Sequence, residues 1–246
     1  MIPSSPRRTG IFLLLSTALF FAPDLLVPEA WARTPAYAYA YLAYQGWLVI
    51  LGFAWGPGIC RRLVLAAQTA GPLRLAVDAC LAGLRRAGHR PPPLTLFSHR
   101  AAFVLTVGLW PRHCETFLST GLAARLPEPA LAFLLARAAA HATWRQRLAD
   151  VLPVLAFTVL IPDGTPDAGT WLAIGVASLL WLCLHGAFEL EADRQAGRML
   201  GATAIDGLLA LVGATRGPLD RFIPRPPLSW RLRAVARGQG LVTKAS

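Results

Sequence analysis

Apolar and polar positions along the chain fall into two regimes. In the first, apolar residues run on almost without a break, over Ile11–Val27, Tyr37–Pro57, Leu148–Ile161 and Trp171–Phe188. Runs of this kind predict membrane helices, which need ~20 apolar residues to cross the hydrocarbon. Ile11–Val27 is slightly short and interrupted by Pro23 and Asp24. It is read as a retained first span. The alternative is a cleaved signal peptide, with Arg7 and Arg8 before the apolar core and Ala30-Trp31-Ala32 as a small-residue cleavage site. The second run opens on Tyr37, Tyr39, Tyr41 and Tyr44, which suits a membrane boundary, and is followed by Arg61 and Arg62, which mark its cytoplasmic end. The last two runs, each near a span in length, predict a hairpin. Its tip, Pro162–Gly169, carries Asp163 and Asp167 and no base, and is expected to face away from the cytoplasm.

In the second regime the spacing is periodic. Leu63–Gly88 has apolar residues at helical intervals with arginines between, and Gly88 with Pro91–Pro93 ends it. Leu94–Phe97, Ala102–Val107 and Glu115–Ser119 are rich in β-branched and aromatic residues and predict short strands. Thr120–Leu126 starts a helical turn. Pro127-Glu128-Pro129 then opens an amphipathic helix at Leu131–Arg147, since proline is tolerated in a first turn. Two short helices, near Ala204–Val212 and Leu228–Arg237, complete the chain. The expected fold is α+β and mainly helical, with about four transmembrane helices and a small cytoplasmic lobe. Its parts are two membrane segments (1–58), a lobe (59–148, with helix 131–147), a transmembrane hairpin (149–188) and a C-terminal part of the lobe (189–246).

Composition agrees with a membrane protein. Of 246 residues 55% are hydrophobic and 15% charged, against about 25% charged in soluble domains. The net charge of +11 comes from arginine, Lys244 being the one lysine. In a membrane protein this excess belongs to cytoplasmic flanks. No basic run is interleaved with aromatics, so no nucleic-acid partner is expected. Cys60, Cys80, Cys114 and Cys183 are scattered and read as small apolar residues.

The chemistry lies on the Leu131–Arg147 helix. Arg137 and His141 are spaced i, i+4 and share a face. A zinc peptidase has HExxH in this frame, two ligands and a catalytic glutamate. Here it reads Arg137-Ala138-Ala139-Ala140-His141. Other fragments stand in a familiar order around it: Ala101-Ala102-Phe103, Ser119-Thr120-Gly121-Leu122, the membrane hairpin, Glu189-Leu190-Glu191-Ala192-Asp193, and Arg225-Pro226-Pro227 followed by Arg231. In these blocks, over roughly Leu94–Arg233, the chain resembles the HtpX-type and CAAX-prenyl-endopeptidase group of membrane zinc metallopeptidases. The resemblance implies a zincin-like lobe. It implies a former metal site at His141, Glu189 and Asp193, with Glu189 in the place of the third zinc ligand.

The departures are chemical. Arg137 stands where the family has its first histidine, and a guanidinium has no lone pair to give a metal. Ala138 stands where the family has its general-base glutamate, and an alanine moves no proton. Ala101 replaces the usual asparagine and Arg225 the late histidine. Catalytic zinc normally has three protein ligands and a water, so no cofactor and no functional catalytic residue are expected. Arg137 is expected to fill the metal position and reach Glu189, because a buried carboxylate needs a partner. The function implied is a binding, scaffolding or accessory subunit of a membrane assembly. Its partners would be the bilayer and another membrane protein, with the lobe on the cytoplasmic side of a bacterial inner membrane.

Two alternatives stay open. One is an active zinc metalloendopeptidase in membrane protein quality control, with a site altered to His141, Glu189 and the substitute ligand His185. The other is a purely structural membrane subunit. Taken alone, His141 reads as a core histidine, and Glu189 with Asp193 as the charged start of a helix leaving the membrane. Arg225, Arg231 and Arg233 read as solvent-facing or headgroup contacts.

Overall fold

The computed structural model describes residues 6–63, 67–143, 151–152, 155, 168–215 and 226–240. The chain begins with a helical hairpin. Helix α1 (Pro6–Phe20), the short α2 (Ala22–Leu26) and α3 (Glu29–Ala32), and the long α4 (Pro35–Leu63) follow one another. The return of α4 along α1 is set by side chains. Tyr37 and Tyr41, one turn apart and stacked, donate to the two carboxylate oxygens of Asp24 at 3.1 and 2.9 Å. Tyr44 donates to the Leu19 carbonyl at 2.6 Å. At the far end the Arg8 guanidinium reaches the Arg62 carbonyl at 3.2 Å, so α1 and α4 run antiparallel and Arg8, Arg61 and Arg62 share one end.

Helix α5 (Pro72–Arg86) is shorter than the Leu63–Gly88 helix predicted from spacing. The reason is local. Gly71 has φ +109°, a conformation that interrupts a helix, and Pro72 restarts it at the first turn. The freed segment does something else: Ala67 bridges to Phe97, and Gln68 N–H donates to the Leu96 carbonyl at 2.7 Å.

Strands β1 (Leu94–Phe97), β2 (Val104–Val107) and β3 (Glu115–Ser119) form a sheet in the order β1-β3-β2. β3 is parallel to β1 and antiparallel to β2, and all five of its residues are buried. β2 begins two residues later than predicted. Helix α6 (Thr120–Ala123) is capped by the Ser119 hydroxyl, which accepts from the Leu122 N–H.

Helix α7 (Glu128–His141) is built mostly of alanine and leucine, the best helix formers. It ends at His141, short of the predicted Arg147. Its last turn tightens there, with the Thr143 N–H on the Ala140 carbonyl at 3.2 Å; residues 144–150 lie outside those described. Helix α8 (Ala168–Leu200) runs unbroken for 33 residues, about 50 Å at 1.5 Å per residue. The second arm of the expected membrane hairpin and the Glu189–Asp193 segment are therefore one helix. The first arm, Leu148–Ile161, and the tip, 162–167, fall almost wholly outside the described residues. Helices α9 (Ala204–Thr215) and α10 (Leu228–Gly238) follow.

The larger of two hydrophobic clusters among the described residues joins α5, the sheet and α7–α10. Val77, Leu81 and Leu84 of α5, Leu96 and Leu118 of the sheet, the apolar face of α7, Ala196 of α8, Leu208 and Leu211 of α9 and Val235 of α10 pack together. Small residues set the helix spacing. A Cβ on Gly197 would lie 2.5 Å from the Val235 carbonyl oxygen, and one on Gly207 2.6 Å from that of Pro129. Thus α10 lies directly on α8, and α9 directly on α7.

Helix α8 divides into two environments. From Trp171 to Leu184 it exposes Trp171, Leu172, Val176, Leu179, Leu180 and Leu184. From Ala192 onward one face of it, Ala192, Asp193, Ala196 and Gly197, is buried in the lobe. One helix among the described residues is long and apolar enough to cross a membrane, and it begins at Ala168. Helix α4 has the length, at 29 residues, but tyrosine, glutamine and glycine dilute its hydropathy. The apolar part of α1, Gly10–Phe20, is shorter than a span.

Candidate functional site

Helices α7 and α8 face each other where the sequence placed the chemistry. The Arg137 guanidinium donates to Glu189 Oε2. Its Nε lies 2.8 Å from Asp193 Oδ1, off the line of its own N–H, so that contact is an ion pair rather than a hydrogen bond. His141, one turn further along α7, puts Nε2 3.4 Å from Glu189 Oε1. Arg137, His141, Glu189 and Asp193 are thus brought together, and Arg137 makes the contact with Glu189 expected of it. Ala138 is buried beside them and offers only a methyl group.

Asp193 has a second partner that was not anticipated. Arg231 on α10 donates to it twice, from Nε to Oδ2 at 2.6 Å and from a terminal nitrogen to Oδ1 at 3.1 Å. Arg231 is buried, not solvent-facing, which corrects the expectation for it. The physical reason is that Asp193 is 0% exposed. A carboxylate there is costly without charge partners, and the close α8–α10 crossing puts Arg231 within reach. The sequence singles out Arg231 only as an arginine that follows the Arg225-Pro226-Pro227 block, with nothing in it to pair the two side chains. Arg233 is exposed as expected, and Arg225 lies outside the described residues.

The result is a chain of alternating charge, Glu189–Arg137–Asp193–Arg231, that ties α7, α8 and α10. Two carboxylates meet two guanidiniums, so the buried charge balances. Burial by itself would raise the Glu189 carboxyl, but Arg137, then His141 and His185, outweigh it and hold it at about 2. Burial would lower Arg137, but Glu189 and Asp193 outweigh it and hold the guanidinium above its ordinary range. Glu189 and Arg137 therefore stay charged throughout the physiological range. His185 lies one turn before Glu189 and stacks on Trp181, ring centroids 5.8 Å apart.

This donor set does not suit a zinc ion. Arg137 already claims one oxygen of Glu189 and lies against Asp193. A divalent cation there would sit against a guanidinium, with like charges in a low-dielectric site. Among the described residues, no three of histidine, cysteine, aspartate or glutamate converge in a metal-holding group.

The other motif fragments are also joined in space. Ser119 Oγ accepts from the Phe103 N–H at 3.0 Å and donates to the Ala101 carbonyl at 2.7 Å. A Cβ on Gly121 would stand 2.2 Å from the Arg100 carbonyl oxygen. The Thr120-Gly121-Leu122 block therefore cradles the 99–103 loop, and only glycine fits at its centre. A second buried carboxylate was missed by the sequence reading. Glu115 accepts from Arg61 at 2.6 Å and from Thr95 at 2.5 Å, fastening the end of α4 to the sheet.

No family model matches this sequence, and no curated protein matches it. Among solved structures, the crystal structure of S. mikatae Ste24p is similar, with a TM-score of 0.46 and 14% identity. The match covers 94% of this chain, which spans 66% of the length of that one.

Proposed function

We propose that this chain is a membrane-embedded relative of the HtpX-type and CAAX-prenyl-endopeptidase metallopeptidases that has lost the metal and with it catalysis. It acts as a binding or scaffolding subunit of a membrane protein assembly. One observation carries the reading: the Arg137 guanidinium contacts both Glu189 and Asp193, in the frame where that family has a zinc ligand. A peptidase of this class needs a metal-activated water and a base to move its proton. At this site a fixed cation stands near the metal position and Ala138 stands at the base position. What the ion-pair network does instead is hold three helices in register.

The membrane part of the proposal rests on the apolar surface of α8, on the arginines gathered at one end of α1 and α4, and on the composition. About four spans carry the lobe on the cytoplasmic face of a bacterial inner membrane, following the arginines.

The test is metal analysis of the full chain purified in detergent. Wild type is expected to hold only trace zinc, and Arg137→His with Ala138→Glu to gain it near stoichiometry. Stoichiometric zinc in wild type, lost on His141→Ala, would overturn the reading. It would favour an altered peptidase site on His141, Glu189 and His185, for which the His141–Glu189 contact is the present support. Copurification of a membrane protein at fixed stoichiometry would identify the scaffolded partner.

A further inference from the structure

We infer that the loop between β2 and β3, Gly108–Cys114, is a membrane-contact element that seats the lobe on the lipid surface. The inference rests on the membrane reading above. Its first support is direction. Cys60 of α4 packs against Phe97 and Phe117 in the sheet. One turn earlier on α4, toward its apolar part, Gly56 faces Val107, where an added Cβ would be 3.7 Å from the Val107 Cβ. Val107 is the last residue of β2 and pairs with Glu115, the first of β3. The connection of the hairpin therefore lies beside α4 at the level of Gly56 to Arg61, where the apolar run of that helix gives way to arginine.

The second support is that the loop is held shut and presents its side chains outward. Gly108 has φ +130°, and a Cβ there would stand 2.7 Å from the Cys114 α-carbon. The Cys114 thiol donates to the Gly108 carbonyl at 3.6 Å, and the His113 N–H to the Trp110 carbonyl at 2.9 Å. Leu109 and Cys114 are buried, whereas Trp110 is 50% exposed with Arg112 and His113 exposed beside it. A tight loop ending in an outward tryptophan loses little conformational freedom when that ring is buried elsewhere.

The third support is chemistry at a common level. Trp55, next to Gly56, is 65% exposed. Trp55 and Trp110 thus come from elements that touch, and Arg8, Arg61 and Arg62 gather just beyond them. Tryptophan favours the headgroup region, where its ring is buried and its N–H stays wet. Arginine pairs with lipid phosphate. The occupant of this face is the phospholipid surface itself, with Trp110 among the headgroups and Arg112 on phosphate.

The experiment uses the full chain in vesicles of phosphatidylcholine and phosphatidylglycerol carrying bromine at a chosen depth, read by tryptophan emission. The Trp110 contribution is the difference between wild type and Trp110→Phe, with Trp110→Tyr as a second reference. Bromine near the glycerol end is expected to quench that contribution about two-fold, as for an interfacial tryptophan. A contribution untouched by bromine and quenched by aqueous iodide overturns the proposal. In that result, quenching of the remaining tryptophans by bromine deep in the chains would leave the membrane reading standing. If none of the tryptophans responds to bromine, both fall.

Discussion

Arg137 of α7 and Glu189 of α8, 52 residues apart in sequence, form a partly buried ion pair with side chains 13% and 19% exposed. Asp193 lies against the Nε of the same guanidinium. Arg137 therefore contacts two carboxylates at once, sharing Asp193 with Arg231. Arg137→Ala is expected to destabilise the protein by roughly 3–5 kcal/mol, because it strands buried charge. Thermal unfolding in detergent, read by helical circular dichroism, measures this. A loss no larger than that of an exposed arginine would mean that the pair is not buried in solution.

Arg231 and Arg233 provide a matched comparison on α10. Arg231 holds the fully buried Asp193 with two hydrogen bonds, and Arg233 is exposed. Arg231→Ala is expected to cost about 3 kcal/mol or more, and Arg233→Ala to stay within about 0.5 kcal/mol of wild type. The same melts, run side by side, separate them. Equal effects would contradict the burial of Arg231.

Glu189 makes stability depend on acid. Its carboxyl is held at about 2 in the folded chain, against an ordinary value of 4.5. The unfolded chain thus takes up a proton first as pH falls. The stability from this group is fully present above about pH 5 and is lost as pH drops toward 2. It amounts to something on the order of 3 kcal/mol, at about 1.4 per pKa unit. Glu189→Gln is expected to be less stable at neutral pH and to show a flatter acid limb between pH 5 and 2. Parallel acid limbs in the two proteins would remove Glu189 from the account.

Gly197 and Gly186 lie on the same helix in different surroundings. A methyl group on Gly197 would press on the Val235 carbonyl, whereas Gly186 has nothing within 4 Å of an added Cβ. Gly197→Ala is expected to destabilise by about 1–3 kcal/mol through overpacking of α8 on α10. Gly186→Ala is expected to be neutral or stabilising by up to about 1 kcal/mol, from helix propensity alone. Melting temperatures of the two variants check the contrast.

The sequence by itself determined the local and periodic features. The three strands and the start of α6 were legible, because alternation and turn residues act over a few positions. The candidate site was also legible as a set of residue types at a spacing: Arg137 and His141 share a face whatever else the chain does, and an unpaired Glu189 would be too costly to bury. Boundaries that depend on one residue's conformation were less so. Spacing carried a helix through Gly71-Pro72, a dipeptide that itself marks a break, and the backbone angle at Gly71 places it.

Tertiary structure decided what the buried carboxylates meet. Nothing near Asp193 in sequence names Arg231, 38 residues away, nor does anything near Glu115 name Arg61, 54 residues away. The physical reason is that a charge is buried by the approach of other elements. Its partner is set by which helices pack, and how closely, and that follows from small residues such as Gly197 whose role appears only once the helices cross.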